Sequence, residues 1–214
     1  MEKGKMKKWR KLIIIILFII LAISVIIVGR KIVIIKGLQN KIDSFNDIDN
    51  YHATSYQYFE KNLTIYDTYK KAEKSLCITN SLSEKFDTRM IIHYVDEDVN
   101  HVYFHSNENK IAILDGNGGT SPIPIVSAFE TNNLFTLIKM SIFASITNED
   151  FNGKRCYKVN FNTDDRLTYY IEKETGLTLR VLDNSSLVKD FYYEFNTVKD
   201  DNLKEPNLSE YIIQ

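Results

Sequence analysis

The first apolar segment of the chain is continuous. Residues 12–29, LIIIILFIILAISVIIVG, contain no charged side chain. In an α-helix a segment of this length rises about 27 Å, close to the thickness of the hydrocarbon core of a bilayer. A second apolar run, IVII at 32–35, follows Arg30 and Lys31. The pattern therefore predicts a transmembrane helix over 12–35, preceded by a basic tail of residues 1–11.

A cleaved signal peptide is the alternative interpretation of this segment. Such a peptide has a shorter apolar region and ends in small residues at the cleavage site. Here the run ends in VIIV at 25–28, where every side chain is large and branched. A lipoprotein signal would need a cysteine directly after the run, but the first cysteine is Cys77. We therefore expect an uncleaved anchor, with cleavage as the open alternative.

After residue 36 the spacing of apolar positions becomes first helical and then alternating. Apolar residues spaced by four, three and three over 38–48 predict an amphipathic helix or stalk in 36–50. From 51 onward, apolar and polar residues alternate in segments joined by short polar turns, which is typical of antiparallel strands. The predicted strands are 51–59, 63–79 as one strand or two, 88–95, 101–106, 110–116, 153–162, a hairpin in 166–183, and 187–198. These segments give about eight to ten strands in a domain spanning 51–206, with 207–214 as a tail.

The strongest interruption of the strand pattern lies in the middle of the domain. GNGGTSPIP at 116–124 contains three of the eight glycines and two of the three prolines. The next segment, VSAFETNNLFTLIKMSIFASI at 126–146, is too long for one ordinary strand. It predicts one helix or two short helices, and its second half is apolar on nearly every side.

Charge is distributed unevenly along the chain and predicts how it crosses the membrane. The overall net charge is −1, yet residues 1–36 hold nine Lys and Arg and one acid. The remaining residues hold 18 basic and 27 acidic side chains, a net charge of −9. Six of the nine basic residues precede the apolar run. This bias predicts a single-pass protein of the cell membrane with its N-terminus in the cytoplasm and the bulk of the chain outside it. An acidic domain also argues against nucleic acid as a partner.

Candidate catalytic and metal-binding residues are few. His101 and His105 would share one face of a helix, but HVYFHS at 101–106 predicts a strand, in which they lie about 13 Å apart. The GNGG segment lacks the spacing of a phosphate-binding loop, and no catalytic motif with a histidine, cysteine or serine is present. Cys77 and Cys156 predict either two buried thiols or one disulfide. We expect no enzyme activity, cofactor or metal.

The order of these parts resembles the LolA-like lipoprotein-carrier superfamily, which includes the sensor domain of RseB. The resemblance covers about 50–205 and depends on the helix before the strands, the strand FNGKRCYKVNF, the hairpin YYIEKETGLTLRV and the final strand FYYEFNTVKDDNLKEP. It implies an α+β fold: a strongly curved antiparallel sheet, or half-barrel, whose concave face is covered by a helical lid. The retained anchor differs from the diffusible carriers of that superfamily.

The resemblance implies a hydrophobic ligand, such as a lipid or the acyl chain of a lipoprotein, bound beneath the lid. The predicted ligand-contacting residues are taken from the lid and from alternating strand positions: Phe129, Leu134, Phe135, Ile138, Phe143, Tyr169, Ile171 and Tyr193. A second hypothesis remains open, in which the apolar helix fills the barrel. The domain would then be a non-enzymatic sensor or protein-interaction module of the cell envelope with a protein partner.

Overall fold

The computed structural model of the chain describes residues 2–45, 47–60, 62–82, 88–114, 128, 133–161, 167–183 and 187–214. These residues form two α-helices and twelve strands. The helices are α1 (Glu2–Asp43) and α2 (Leu134–Phe143). The strands are β1 (Asn50–Phe59), β2 (Asn62–Lys71), β3 (Lys74–Ser81), β4 (Thr88–Asp96), β5 (Val99–Ser106), β6 (Lys110–Leu114), β7 (Ala144–Phe151), β8 (Lys154–Phe161), β9 (Thr168–Glu172), β10 (Thr178–Leu182), β11 (Leu187–Phe195) and β12 (Ile212–Ile213).

All twelve strands belong to one sheet, in the order β12-β6-β5-β4-β3-β2-β1-β11-β10-β9-β8-β7. Neighbouring strands are antiparallel, except that β12 runs parallel to β6. The predicted α+β class, the N-terminal apolar helix and the largely antiparallel sheet are confirmed. The predicted half-barrel is not found, because the edge strands β7 and β12 lie at opposite sides of an open, uncurled sheet and do not pair with each other.

One predicted helix is shorter than expected and a strand takes its place. Within 126–146, α2 covers Leu134–Phe143, and the chain is already extended at Ala144, where β7 begins. The sequence of β7, ASITNEDF, is mostly polar and gives little strand signal. It pairs with β8 along its whole length, so the hydrogen bonds of a neighbouring strand determine its conformation.

Helix α1 is one unbroken helix from the N-terminal region to Asp43. The sequence predicted two segments here, a span at 12–35 and a separate helix at 36–50. By its length and composition α1 is able to cross a membrane. Its last turns pack on the sheet and bury Ile35, Leu38 and Ile42, which are 0%, 3% and 4% exposed. The apolar helix and the domain are therefore joined without a linker.

The contact between α1 and the turn that joins β9 to β10 is close. Gly176 adopts a positive φ of 79°, and a Cβ atom built there would lie 2.7 Å from the backbone oxygen of Leu38. The Lys41 ammonium donates a hydrogen bond to the carbonyl of Lys173 in the same turn. A glycine is therefore needed at 176 for two reasons: it allows the positive φ of the turn, and it leaves room for helix α1.

The C-terminal segment packs on a different part of the sheet. Val198 and Leu203 are buried against side chains of β3 to β6: Leu76, Ile92, Tyr94, Tyr103 and Ala112. Two short 3₁₀ helices, Asp200–Leu203 and Leu208–Glu210, lead to β12 at the sheet edge. Residues 207–214, described from the sequence as a tail, are thus part of the folded domain.

Candidate functional site

The surface of the sheet beneath the two helices is filled by side chains of the helices themselves. Ile35 and Leu38 of α1, with Leu137 of α2, form one buried cluster with Ala144 of β7, Val159 and Phe161 of β8, and Ile171 of β9. Ile35, Val159 and Ile171 are fully buried. Each fully buried aliphatic side chain contributes about 1.5–3 kcal/mol of transfer free energy. In the described residues, this region is a packed core rather than a cavity.

Helix α2 covers part of this core and exposes the rest of its apolar surface. Asn133 caps its first turn by accepting a hydrogen bond from the backbone N–H of Phe135. Leu137 and Ser141, four residues apart, form the buried face. The remaining large apolar side chains at the ends of the helix are exposed: Leu134 66%, Phe135 75%, Ile142 53% and Phe143 52%. Such a helix has apolar surface available for contact beyond its own domain.

The structure distributes the predicted ligand-contacting residues over several environments. Ile171 is in the core, and Tyr169 packs beside that core in an edge-to-face pair with Phe161, at a centroid distance of 5.7 Å. Phe135 and Phe143 point away from the core, and Ile138 is half-buried. The others are placed as follows: Leu134 lines a shallow cleft between α1 and α2, Tyr193 lies in a separate pocket, and Phe129 lies outside the described residues.

The pocket that contains Tyr193 has a volume of about 270 Å³, and two of its lining residues, Leu177 and Leu179, belong to the buried cluster around Ile42 of α1. Its apolar wall consists of Leu177, Leu179, Phe191 and Tyr193. On β11, the rings of Phe191, Tyr193 and Phe195 form a parallel stack with centroid distances of 6.3 and 6.2 Å. The sequence prediction missed Leu177, Leu179 and Phe191, although the alternating pattern of both strands contained them.

Two ion pairs lie near this pocket. The Arg180 guanidinium donates two hydrogen bonds to Asp190, at 2.5 and 2.6 Å, and lies over the ring of Phe151 at 4.4 Å. The hydrogen bond to Asp190 raises the pKa of Arg180. At the other side, Lys154 forms an ion pair with Glu172 at 3.1 Å. Lys154 lines the pocket itself, and Arg180 contacts its wall through the ring of Phe151. In both pairs the opposite charges largely neutralise one another.

The histidines of β5 contact the C-terminal segment. Nδ1 of His101 lies 2.5 Å from a carboxylate oxygen of Glu205. Because the carboxylate only accepts, Nδ1 is the donor of this hydrogen bond. His105 is hydrogen-bonded to the Tyr211 hydroxyl at 2.5 Å. Burial, and then the charge of Lys110, lower the pKa of His105. The two histidines hold the segment on the sheet, and the described residues contain no cluster of metal ligands.

Both cysteines are free and buried. Cys77 is on β3 and Cys156 on β8, six strand positions apart in the sheet. This separation corresponds to about 29 Å at the usual strand spacing, whereas a disulfide needs Cα atoms within about 7 Å. Burial raises the pKa of Cys77 to about 11 and also raises the pKa of Cys156. Both therefore remain protonated, unreactive thiols near neutral pH.

Comparison with known proteins identifies no family. No protein-family model matches the sequence, and the search of curated proteins found no match. An uncharacterized conserved protein from Thermus thermophilus superposes with a TM-score of 0.46 and 13% identity, covering 84% of this chain and 98% of the other. The MucA/MucB complex of Pseudomonas aeruginosa gives a TM-score of 0.41 and 8% identity, covering 79% of this chain and 60% of the other. Both scores are below 0.5, so neither assigns a function, and the LolA-like resemblance stays a prediction.

Proposed function

We propose that the chain is a single-pass membrane protein whose extracytoplasmic domain is a non-enzymatic interaction module of the cell envelope. The observation that carries this proposal is the unbroken α1, whose apolar N-terminal part is exposed and whose last turns are core residues of the domain. A helix shared in this way fixes the domain at the membrane surface. When a partner moves the domain, the membrane span would move with it, because the two form one rigid unit.

The filled core beneath the helices favours an interaction module over a carrier. A carrier needs room for its ligand under the lid, whereas Ile35, Leu38 and Leu137 occupy that space in the described residues. Leu134 and Phe135 at the exposed N-terminal end of α2, and the net charge of −9 on residues 37–214, offer a surface for a partner protein. The titratable groups at the pocket and on β5 are paired with structural neighbours, which supports the absence of catalysis.

The anchor and its orientation can be tested in membranes of cells that make the full chain with a C-terminal epitope tag. The protein is expected to stay with the membranes after an alkaline wash, because a spanning helix is not released by charge repulsion. Protease added to the outside of intact cells should remove the tag. Release by the alkaline wash would contradict the anchor, and protection of the tag in intact cells would contradict the orientation.

A hydrophobic ligand is the second candidate function, and the pocket lined by Leu179, Phe191 and Tyr193 favours it. Its volume of about 270 Å³ is slightly below the usual range of ligand pockets, about 300–1,000 Å³, which fits the end of one acyl chain rather than a whole lipid. The ligand would bind between β10, β11 and the end of β7, and not beneath α2. This candidate retains the lipid-binding prediction but moves the binding position.

Native mass spectrometry of the full chain, released from micelles, distinguishes the two positions. If the pocket binds an acyl chain, Leu179→Trp should abolish a co-purified lipid mass by filling the space, and Met140→Trp, on the side of α2 that packs against the core, should leave it unchanged. A ligand beneath α2 gives the opposite pattern. A folded protein that carries no lipid and takes up none when offered would exclude both positions and leave the interaction module.

A further inference from the structure

We propose that the membrane-side end of α2, at Ile142 and Phe143, inserts into the headgroup region of the bilayer that holds α1. The domain would then be docked on the membrane surface rather than held above it. This inference rests on the proposed membrane anchoring of α1. It assigns a lipid-contacting role to side chains that the domain itself leaves exposed.

The position of α2 along α1 is fixed by two contacts. Near one end, the Lys31 ammonium donates a hydrogen bond of 2.5 Å to the carbonyl of Ala144, the residue directly after Phe143. Near the other end, Leu134 lines the cleft that also includes Lys36, Gln39 and Asp43 of α1. Helix α2 therefore runs alongside α1 with its C-terminal end toward the apolar span and its N-terminal end away from it.

The end of α2 lies at the depth of the lipid headgroups. The uncharged run of α1 ends at Gly29, and its 18 residues span about 27 Å, which matches the hydrocarbon core. Lys31 is two residues further, or about 3 Å along the helix axis. The headgroup region extends about 5–7 Å beyond the hydrocarbon core on each side. Ala144, and with it Phe143, is therefore within that layer.

The domain also reaches down to the span itself. Side chains of α1 from Trp9 to Ile27 are exposed, and the first partly buried side chain is Val28, inside the apolar run. Ile32, about 4.5 Å along the helix axis from Gly29, packs against the buried core of the domain. The folded domain therefore meets the helix within one turn of the edge of the hydrocarbon core. No linker separates the sheet from the bilayer, so Ile142 and Phe143 cannot avoid the interface unless α1 is shifted in the membrane.

The chemistry of this end suits an interface. Ile142 and Phe143 are each about half exposed, and the sequence of α2, LFTLIKMSIF, has one lysine and no acidic residue. Lys139 is exposed on α2, as are Arg30 and Lys36 on α1. Apolar side chains flanked by basic ones are the pattern of helices that bind the surface of anionic bilayers.

Tryptophan fluorescence with lipid-bound quenchers tests this depth, and α2 provides its own control. Phe135 and Phe143 are the same residue type on one helix, both exposed, and eight residues or about 12 Å apart along its axis. Trp9→Phe first removes the native tryptophan, so that Phe143→Trp or Phe135→Trp introduces the sole tryptophan. Each full chain is reconstituted in vesicles of phosphatidylcholine with a minority of phosphatidylglycerol.

Bromine atoms on the lipid acyl chains are expected to quench the tryptophan at 143 several-fold more than the one at 135. Iodide, present on both sides of the vesicles, should show the reverse order. Equal iodide quenching at both positions, with little bromine quenching, would overturn the docking. A tryptophan at 143 shielded from both quenchers would also overturn it, since a protein contact would then cover this end.

Failure of the anchor and failure of the docking give different results. Vesicles that carry the Trp9→Phe chain are floated after an alkaline wash. If the protein does not float with the lipid, the proposed anchor is wrong, and the quenching experiment gives no information because the protein is not bound to the vesicles. If it floats and position 143 is not quenched by bromine, the anchor stands and the docking is wrong.

Discussion

Leu38→Ala is expected to lower the free energy of unfolding by about 2–5 kcal/mol, because it opens a cavity where α1 meets the sheet. Leu38 is 3% exposed and belongs to the same buried cluster as Leu137 and Ile171. It lies beyond the apolar span, so the substitution leaves the hydrophobicity of the membrane segment unchanged. The loss should therefore reflect docking of the domain on the helix.

Val33→Ala is the matched control, because Val33 is on the same helix and is 72% exposed. Its effect should stay within about 0.5 kcal/mol. Urea unfolding of the full chain in a mild detergent measures both variants. Near-ultraviolet circular dichroism is the appropriate signal, since it follows tertiary packing while micelles keep the span helical. Equal stability of the two variants would show that the end of α1 does not belong to the core.

Tyr103→Ala is expected to cost about 3–5 kcal/mol, the usual range for truncating a buried aromatic side chain. Tyr103 is fully buried beneath the C-terminal segment, and its ring meets that of Tyr211 edge-on at a centroid distance of 4.8 Å. Its hydroxyl donates a hydrogen bond to Glu205. Burial and this carboxylate raise the pKa of Tyr103, so the hydroxyl remains a donor at neutral pH.

Tyr103→Phe separates packing from hydrogen bonding at this position. The ring is kept and Glu205 retains His101 as a partner, so a loss of about 1 kcal/mol is expected. Hydrogen exchange of the backbone amides in 199–214 gives a local measurement beside the urea unfolding. Protection there should fall strongly in Tyr103→Ala and slightly in Tyr103→Phe. Full protection in both would mean that the segment does not depend on Tyr103.

Local patterns predicted the strands well where apolar and polar residues alternate. The hairpin around Gly176 and the strands β4, β5, β8 and β11 appear close to their predicted positions, because each presents one face to a core. The same rule failed for β7, whose side chains are mostly polar and exposed. The conformation of such an edge strand is determined by pairing with its neighbour, and the local pattern of β7 does not indicate that pairing.

The candidate site was less predictable than the fold. The side chains of α2 were selected because an apolar helix over a sheet suggests a lid, yet Phe135 faces away from the sheet. The pocket near Tyr193 was missed because it joins Leu177 and Leu179 to Phe191 on the paired strand β11 and to Phe151 at the end of β7. Alternation indicates which side chains share a face of one strand, but it does not indicate which faces meet.

The sequence by itself determined the apolar helix, the change to alternating strands and the acidic character of residues 37–214, since these follow from the order of side chains along the chain. Tertiary structure alone decided that α1 continues into the core, that β1 joins β11 to make one sheet, and that the C-terminal segment adds β12 beside β6. These features depend on contacts between residues more than 90 positions apart. Such contacts arise from the burial and pairing of whole surfaces, which no local period encodes.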